Sequence, residues 1–132
     1  MDIPVDSSSL VVERLGEWPS FHDNYVVDPI HHRGETVEFQ IHTWLVDRQG
    51  WKVNASHHLV GFRCDGVTAV SLNGLTETRE LYRADFLRTA SGGVRVEFEP
   101  VYGPEMATIK CRKVSVVSMR RCSEHGEPAG DD

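Results

Sequence analysis

The stretch TVEFQIHTWLV, residues 36–46, decides the fold class, because apolar and polar side chains alternate along most of its length. Successive residues of a β-strand point to opposite sides of the sheet, so this period of two is typical of a strand. The apolar face consists of Val37, Phe39, Ile41 and Leu45, and the opposite face of Glu38, Gln40, His42 and Trp44. The stretch therefore predicts an antiparallel strand with one face in the core.

The sequence on both sides of this strand predicts further strands joined by short turns. Upstream, residues 24–30 form the first arm of a hairpin that turns at residues 32–35, and Pro29, which lacks an N–H group, favours an edge position. Downstream, residues 53–65 alternate in the same way. Asp65-Gly66 is a tight-turn dipeptide and predicts a second hairpin with the segment VTAVSL that follows.

The second half of the chain continues the β pattern. Residues 76–90 fit a strand better than a helix, and residues 91–93, Ser-Gly-Gly, predict a hairpin turn into the clear alternation of residues 94–99. Within residues 107–122 the apolar positions change parity near Arg112-Lys113, which predicts a β-bulge.

One short helix and one disordered tail complete the predicted domain. Residues 7–15, SSSLVVERL, begin with N-cap candidates and end at Gly16. A chain of 132 residues is expected to be one domain. We predict a mainly β (α+β) fold over residues 1–122, an antiparallel β-sandwich or curled sheet of about six to eight strands. The tail, residues 123–132, has no apolar anchor and is predicted to be disordered.

Charge and composition narrow the partners and the compartment. Twenty acidic and fourteen basic residues give a net charge of −6, which disfavours nucleic acid and favours a basic partner. The sequence predicts no signal peptide and no membrane-spanning segment, so we expect a cytoplasmic protein. Cys64, Cys111 and Cys122 lack a CxxC spacing and are predicted to be reduced thiols.

Enzymatic alternatives rest on the histidines. His22-Asp23 suggests an acid/base pair, and seven histidines suggest a metal, yet no known metal or nucleophile motif accompanies them. We therefore expect no cofactor, no metal ligand and no catalytic residue. A small metal-dependent or His/Asp-based enzyme remains the alternative, and so does a homodimer built through a strand edge.

Two features favour a protein-binding role. Trp44 lies on the polar side of the strongest strand. If that side faces solvent, Trp44 is an exposed aromatic residue of the kind enriched in protein-binding hot spots, whereas in a two-layer fold it would be a core residue. The acidic side chains on two of the strands offer a negative charge that is complementary to a basic partner. The predicted partner-binding residues are Glu38, His42, Trp44, Glu97 and Glu99.

Two blocks of the sequence resemble a known family. The segment EWPSFHDNYV, residues 17–26, resembles the "WPSFHD" opening of the immunity protein 50 family of bacterial polymorphic toxin systems, and VYGPEMATIKCRKVSVVSMRRC is similar to its closing segment. The matching positions are Trp18, Pro19, Phe21, His22, Asp23, Tyr102, Gly103 and Cys111.

The resemblance implies a β-rich, non-enzymatic protein that binds and neutralises a cognate toxin inside the producing cell. We expect the motif at residues 18–23 to be mainly structural. Trp18-Pro19 ends the helix, Phe21 enters the core, and Asp23 or His22 satisfies backbone groups of the corner.

Overall fold

The computed structural model describes residues 3–44, 57–75, 78–102, 105–123 and 125–127. Within these residues the chain forms one α-helix, eight β-strands and a short 3-10 turn at Asn73–Leu75. The elements are α1 (Ser9–Leu15), β1 (Tyr25–Arg33), β2 (Thr36–Thr43), β3 (His57–Asp65), β4 (Ala69–Ser71), β5 (Leu81–Arg88), β6 (Val94–Pro100), β7 (Ala107–Cys111) and β8 (Lys113–Cys122). The described helices are too short and too polar to cross a lipid bilayer.

The strands form two four-stranded antiparallel sheets in the described part of the chain. The first sheet has the order β1-β2-β3-β8 and the second the order β4-β7-β6-β5. Phe39 of the first sheet meets Phe98 of the second at a ring distance of 5.2 Å, and Phe62 stacks on Phe86 at 5.2 Å. The predicted β-sandwich with one short helix is therefore confirmed.

The alternation that predicted β2 corresponds to its burial. Val37, Phe39 and Ile41 are at most 2% exposed. Removing a large apolar side chain of this kind from water stabilises the fold by roughly 1.5–3 kcal/mol. Strand β1 lies at the sheet edge, as Pro29 predicted, with a register irregularity between Val27 and His31.

Two other sequence predictions are confirmed. Within the segment 76–90, residues Leu81–Arg88 form the strand β5, as predicted. The β5–β6 hairpin turns through residues 91–93, where Gly92 has a φ of 91° that favours glycine.

The predicted hairpin at Asp65-Gly66 is wrong. The chain does turn at Gly66, with a φ of 66°, but β4 pairs with β7 of the second sheet and not with β3. The backbone N–H of Arg112 donates to the carbonyl oxygens of Asp65 and Gly66, at 3.0 and 3.1 Å, and holds this crossing in place. The dipeptide therefore marks a turn but does not tell which strand the chain joins next.

The predicted bulge at Arg112-Lys113 is also wrong, because the change of parity there comes from a change of sheet. β7 ends at Cys111 in the second sheet and β8 begins at Lys113 in the first. Cys111 and Val114 change parity because they face the same core from opposite sheets. An actual register irregularity lies further along β8, between the pairs Gly61–Ser118 and Phe62–Val116.

The corner at residues 18–23 is built around Phe21. This residue is 1% exposed although its φ of 64° is unusual for a bulky side chain. Trp18 packs edge-on against Phe21, Phe62 and Phe86 at 5.7, 6.3 and 5.7 Å. The expectation that Phe21 enters the core is confirmed.

Some predictions fall outside the described residues. Leu45, residues 53–56 and Gly103 belong to this group. Of the tail predicted to be disordered, Ser123 and residues 125–127 are described, and the Glu127 N–H donates to the Ser123 hydroxyl at 3.1 Å. The disorder of residues 123–132 stays a prediction.

Candidate partner-binding surface

The corner that buries Phe21 leaves His22 and Asp23 outside. His22 Nδ1 donates to the carbonyl oxygen of Tyr82 at 2.9 Å, and its ring lies edge-on to the Tyr82 ring at 5.2 Å. The other ring nitrogen, Nε2, is 3.5 Å from Asp23 Oδ2, with both side chains about half exposed. The backbone of Asp23, like that of Phe21, has a positive φ, of 61°. His22 is thus oriented by its contact with β5.

Backbone hydrogen bonds join this corner to the start of β5. The Asp23 N–H donates to the Leu81 carbonyl at 2.9 Å, and the Leu81 N–H donates to the Asn24 carbonyl at 2.8 Å. Tyr25 and Glu80 form the next bridge. Segments more than fifty positions apart in sequence therefore meet where the two sheets adjoin.

Tyr25 has two acidic residues near it at this junction, Glu80 across a backbone bridge and Asp23 two positions earlier in the chain. Its side chain is 41% exposed. The pKa of its hydroxyl is raised above the ordinary value, first by removal from water and then by the negative charges of Glu80 and Asp23. Both acids therefore add negative charge near Tyr25.

Further exposed side chains extend the area around Glu80. Tyr82 is 55% exposed and Tyr102 66% exposed. The Val101 N–H donates to the Glu80 carbonyl at 3.0 Å, which places Val101 against the same junction. We call this area the Tyr25 surface and define it by Asp23, Tyr25, Glu80, Tyr82, Val101 and Tyr102.

Aromatic rings on β2 and β3 adjoin Tyr25. Trp44 lies 5.9 Å from the Tyr25 ring, 5.0 Å from His42 and 5.1 Å from His57. His42 Nε2 and His57 Nδ1 are 2.8 Å apart and hydrogen-bonded. We call Trp44, His42 and His57 the histidine base. Because His42 and Trp44 pack against the Tyr25 ring, they restrict its orientations.

His42 does not have the exposure expected of a contact residue. It is 5% exposed, and Gly126 lies so close that an added Cβ there would be 3.3 Å from His42 Nδ1. Tyr25 and Leu59 flank it on the neighbouring strands. His42 is therefore placed to support Tyr25 and Trp44 from within, while Trp44 itself is half-buried.

The predicted acidic contacts lie on two different sheets. Glu38 is exposed on the outer face of β2, whereas Glu97 and Glu99 lie on the outer face of β6. The second pair is already matched with cations. Glu97 Oε2 is 2.9 Å from Arg95 Nε, without the alignment of a hydrogen bond, and Glu99 Oε2 is 3.7 Å from Arg83 Nε. The five predicted residues therefore do not form one continuous surface.

The family-motif residues divide into a buried and an exposed group. Trp18, Pro19, Phe21 and Cys111 pack inside, and His22, Asp23 and Tyr102 lie on or beside the Tyr25 surface. His22 bonds a backbone carbonyl, as expected for a residue of the corner, and the structural role of the motif as a whole stays a prediction.

Cys111 belongs to a pair of buried thiols. It contacts Cys64 of the opposite sheet, and the hydrogen bond between the two raises the pKa of Cys64 and lowers that of Cys111. All three cysteines are free, as the sequence predicted.

Sequence reasoning did not find Tyr25, Glu80 and Tyr82 as surface partners. The signal for Tyr25 was its position directly after the WPSFHDN segment. No local pattern connects it to residues 80–82, because the connection depends on pairing between distant segments.

Comparisons with known proteins identify no relative: no family model, no curated protein and no solved structure matches the chain. In the described part of the chain, no three His, Cys, Asp or Glu side chains are grouped so that they could hold a metal ion.

Proposed function

We propose that this protein is a non-enzymatic binding protein that recognises a basic protein partner through the Tyr25 surface. The observation that carries the proposal is the exposed Tyr25, whose ring packs against His42 and Trp44 and whose backbone pairs with the acidic residue Glu80. In its specific form, the proposal is a cytoplasmic immunity protein that neutralises a cognate bacterial toxin by direct binding.

The aromatic part of the surface suits a binding anchor. Tyr side chains give a large contact area at a low cost in conformational entropy and are enriched among hot-spot residues. The histidine base packs against Tyr25, so less rotational freedom remains to be lost on binding. Trp44, which follows β2, packs beside Tyr25 and extends this contact area.

The negative charges of the protein would steer a basic partner towards the Tyr25 surface. A net charge of −6 attracts a basic partner at long range, and Asp23 and Glu80 place negative charge beside the anchor. Glu97 and Glu99 lie on the other sheet beside Arg95 and Arg83, so their charges are largely balanced locally. We assign them no part in the primary contact.

The toxin as partner is supported by the motif. His22 and Asp23 belong to the segment that resembles immunity protein 50, and both bond to the backbone at the start of β5, beside Tyr25.

The test uses a toxin encoded beside the gene, purified and mixed with the full chain. Association and dissociation are measured by biolayer interferometry at low and high salt for Tyr25→Ala and for Asp23→Asn with Glu80→Gln. Asparagine suits position 23 because it tolerates a positive φ. The matched control, Glu97→Gln with Glu99→Gln, removes the same charge from the other sheet.

We expect the Asp23/Glu80 variant to associate roughly tenfold more slowly at low salt, with the difference lost at high salt. Tyr25→Ala should dissociate at least tenfold faster, as for a hot spot worth about 2 kcal/mol. Equal slowing by the control pair would reject this surface. Failure of the wild-type chain to bind the toxin or protect co-expressing cells would reject the immunity function.

A further inference from the structure

A groove lies at the end of the sandwich opposite the Tyr25 surface. It has a volume of about 440 Å³ and is formed by three segments: the crossing after β3, the β5–β6 turn and the end of β7. Its lining is made mainly of glycines, hydroxyl-bearing residues and the cations Lys110 and Arg112. The crossing from the first sheet to the second creates this groove.

The charged residues of the lining are Lys110 and Arg112, both cations, and no acid accompanies them. Among the described ion pairs, Arg63, Arg83, Arg95 and Lys113 each lie 2.9–3.5 Å from a carboxylate. No described ion pair includes Lys110 or Arg112, although the chain has six more acidic than basic residues. The two cations thus concentrate positive charge in one concave place.

Glycines allow the segments that form the groove to approach one another closely. A Cβ on Gly93 would lie 2.5 Å from the carbonyl oxygen of Cys111, and one on Gly66 would lie 2.8 Å from the Arg112 Cβ. Gly66 and Gly92 also have positive φ angles, of 66° and 91°. Any other residue at Gly93 or Gly66 would narrow the groove or strain its walls.

Hydroxyl groups supply the uncharged polar lining. Thr89 Oγ1 accepts the Gly93 N–H at 3.0 Å and lies 3.1 Å from Ser91 Oγ, so the turn fixes both side chains. Thr68 also belongs to the lining, and its hydroxyl donates to the Lys110 carbonyl at 3.5 Å. A hydroxyl can donate to an anion while its oxygen accepts another hydrogen bond.

We propose that this groove binds a tetrahedral dianionic oxyanion, either free phosphate or the phosphate group of a small phosphate ester. Arg112 supplies a planar set of N–H donors suited to two phosphate oxygens, Lys110 supplies a point charge, and the hydroxyls complete the contacts. A volume of about 440 Å³ is at the lower end of small-molecule sites and has room for a small organic group beside the phosphate. The site is independent of the partner-binding function.

The experiment is a titration followed by ¹H–¹⁵N NMR at constant ionic strength. The probes are inorganic phosphate, glucose 6-phosphate and acetate. We expect saturable shifts of the Thr68, Gly92 and Gly93 amides with both phosphate probes and at least tenfold weaker binding in Lys110→Ala with Arg112→Ala. Tighter binding of glucose 6-phosphate would identify an ester as the occupant, and equal or weaker binding would identify the free ion.

The matched control is Arg120→Ala with Arg121→Ala, which removes the same charge from the other end of β8 and should leave phosphate binding unchanged. Arg112→Lys keeps the charge but loses the planar donor set and should bind with intermediate affinity. Equal phosphate shifts in the Lys110/Arg112 variant, an equal response to acetate, or no saturable shift would each overturn the proposal. The NMR spectrum of every variant shows directly whether it is folded.

Discussion

His42 Nε2 and His57 Nδ1 lie 2.8 Å apart and join the end of β2 to the start of β3. A hydrogen bond between two imidazole nitrogens needs one donor and one acceptor, so it forms when at most one of the two rings is charged. Both rings are at most 5% exposed, and both contact Trp44. The bond therefore holds together the residues against which Tyr25 packs.

The first prediction concerns this bond. His57→Ala should lower the free energy of unfolding by about 1–3 kcal/mol, because it removes a buried hydrogen-bond partner of His42. A double-mutant cycle with His42→Ala, measured by urea unfolding, should give a coupling energy above about 0.5 kcal/mol. The exposed His32→Ala is the control and should change stability by less than about 0.5 kcal/mol. A coupling energy near zero would show that the two rings do not depend on each other.

The second prediction is a loss of stability on acidification through His58. The pKa of His58 is lowered from 6.5, first by burial and then by the positive charges of Arg14 and Arg121 and by His57. The unfolded chain therefore takes up the proton at a higher pH than the folded chain. Stability is full above pH 6.5 and falls as the pH drops from there towards the lower pKa of the folded state.

The measurement is the free energy of unfolding in urea at pH values from 7.5 to 5. His58 alone should contribute a slope of at most about 1.4 kcal/mol per pH unit, which corresponds to one proton. His58→Leu should flatten the decline, while the exposed His31→Leu should keep it. An unchanged decline in His58→Leu would assign the acid sensitivity to other groups.

What the sequence could predict was set by local pattern. Alternation placed Val37, Phe39 and Ile41 on the core side, because each residue's side follows from its neighbours alone. The destination of the chain after Gly66 depends on which strand edge is open in the other sheet, and no local signal contains that information.

The candidate site shows the same limit. Trp44 and Glu38 could be selected from their parity on β2, but the burial of His42 depends on Tyr25, Leu59 and Gly126, which approach from other segments. Only the folded chain brings Glu80 beside Tyr25.

The last prediction concerns Gly61 on β3, which pairs with Ser118 across from β8. A Cβ at position 61 would lie 2.2 Å from Ser118 Oγ but 3.5 Å from Ser118 Cβ. Gly61→Ala should therefore destabilise the fold by roughly 1–3 kcal/mol, as overpacking does, and Ser118→Ala should restore most of that loss. Ser118 is partly exposed, so Ser118→Ala alone should change the urea midpoint little and serves as the control. If the double variant is no more stable than Gly61→Ala, the clash involves the β8 backbone, and if Gly61→Ala is neutral, the serine hydroxyl turns away at no cost.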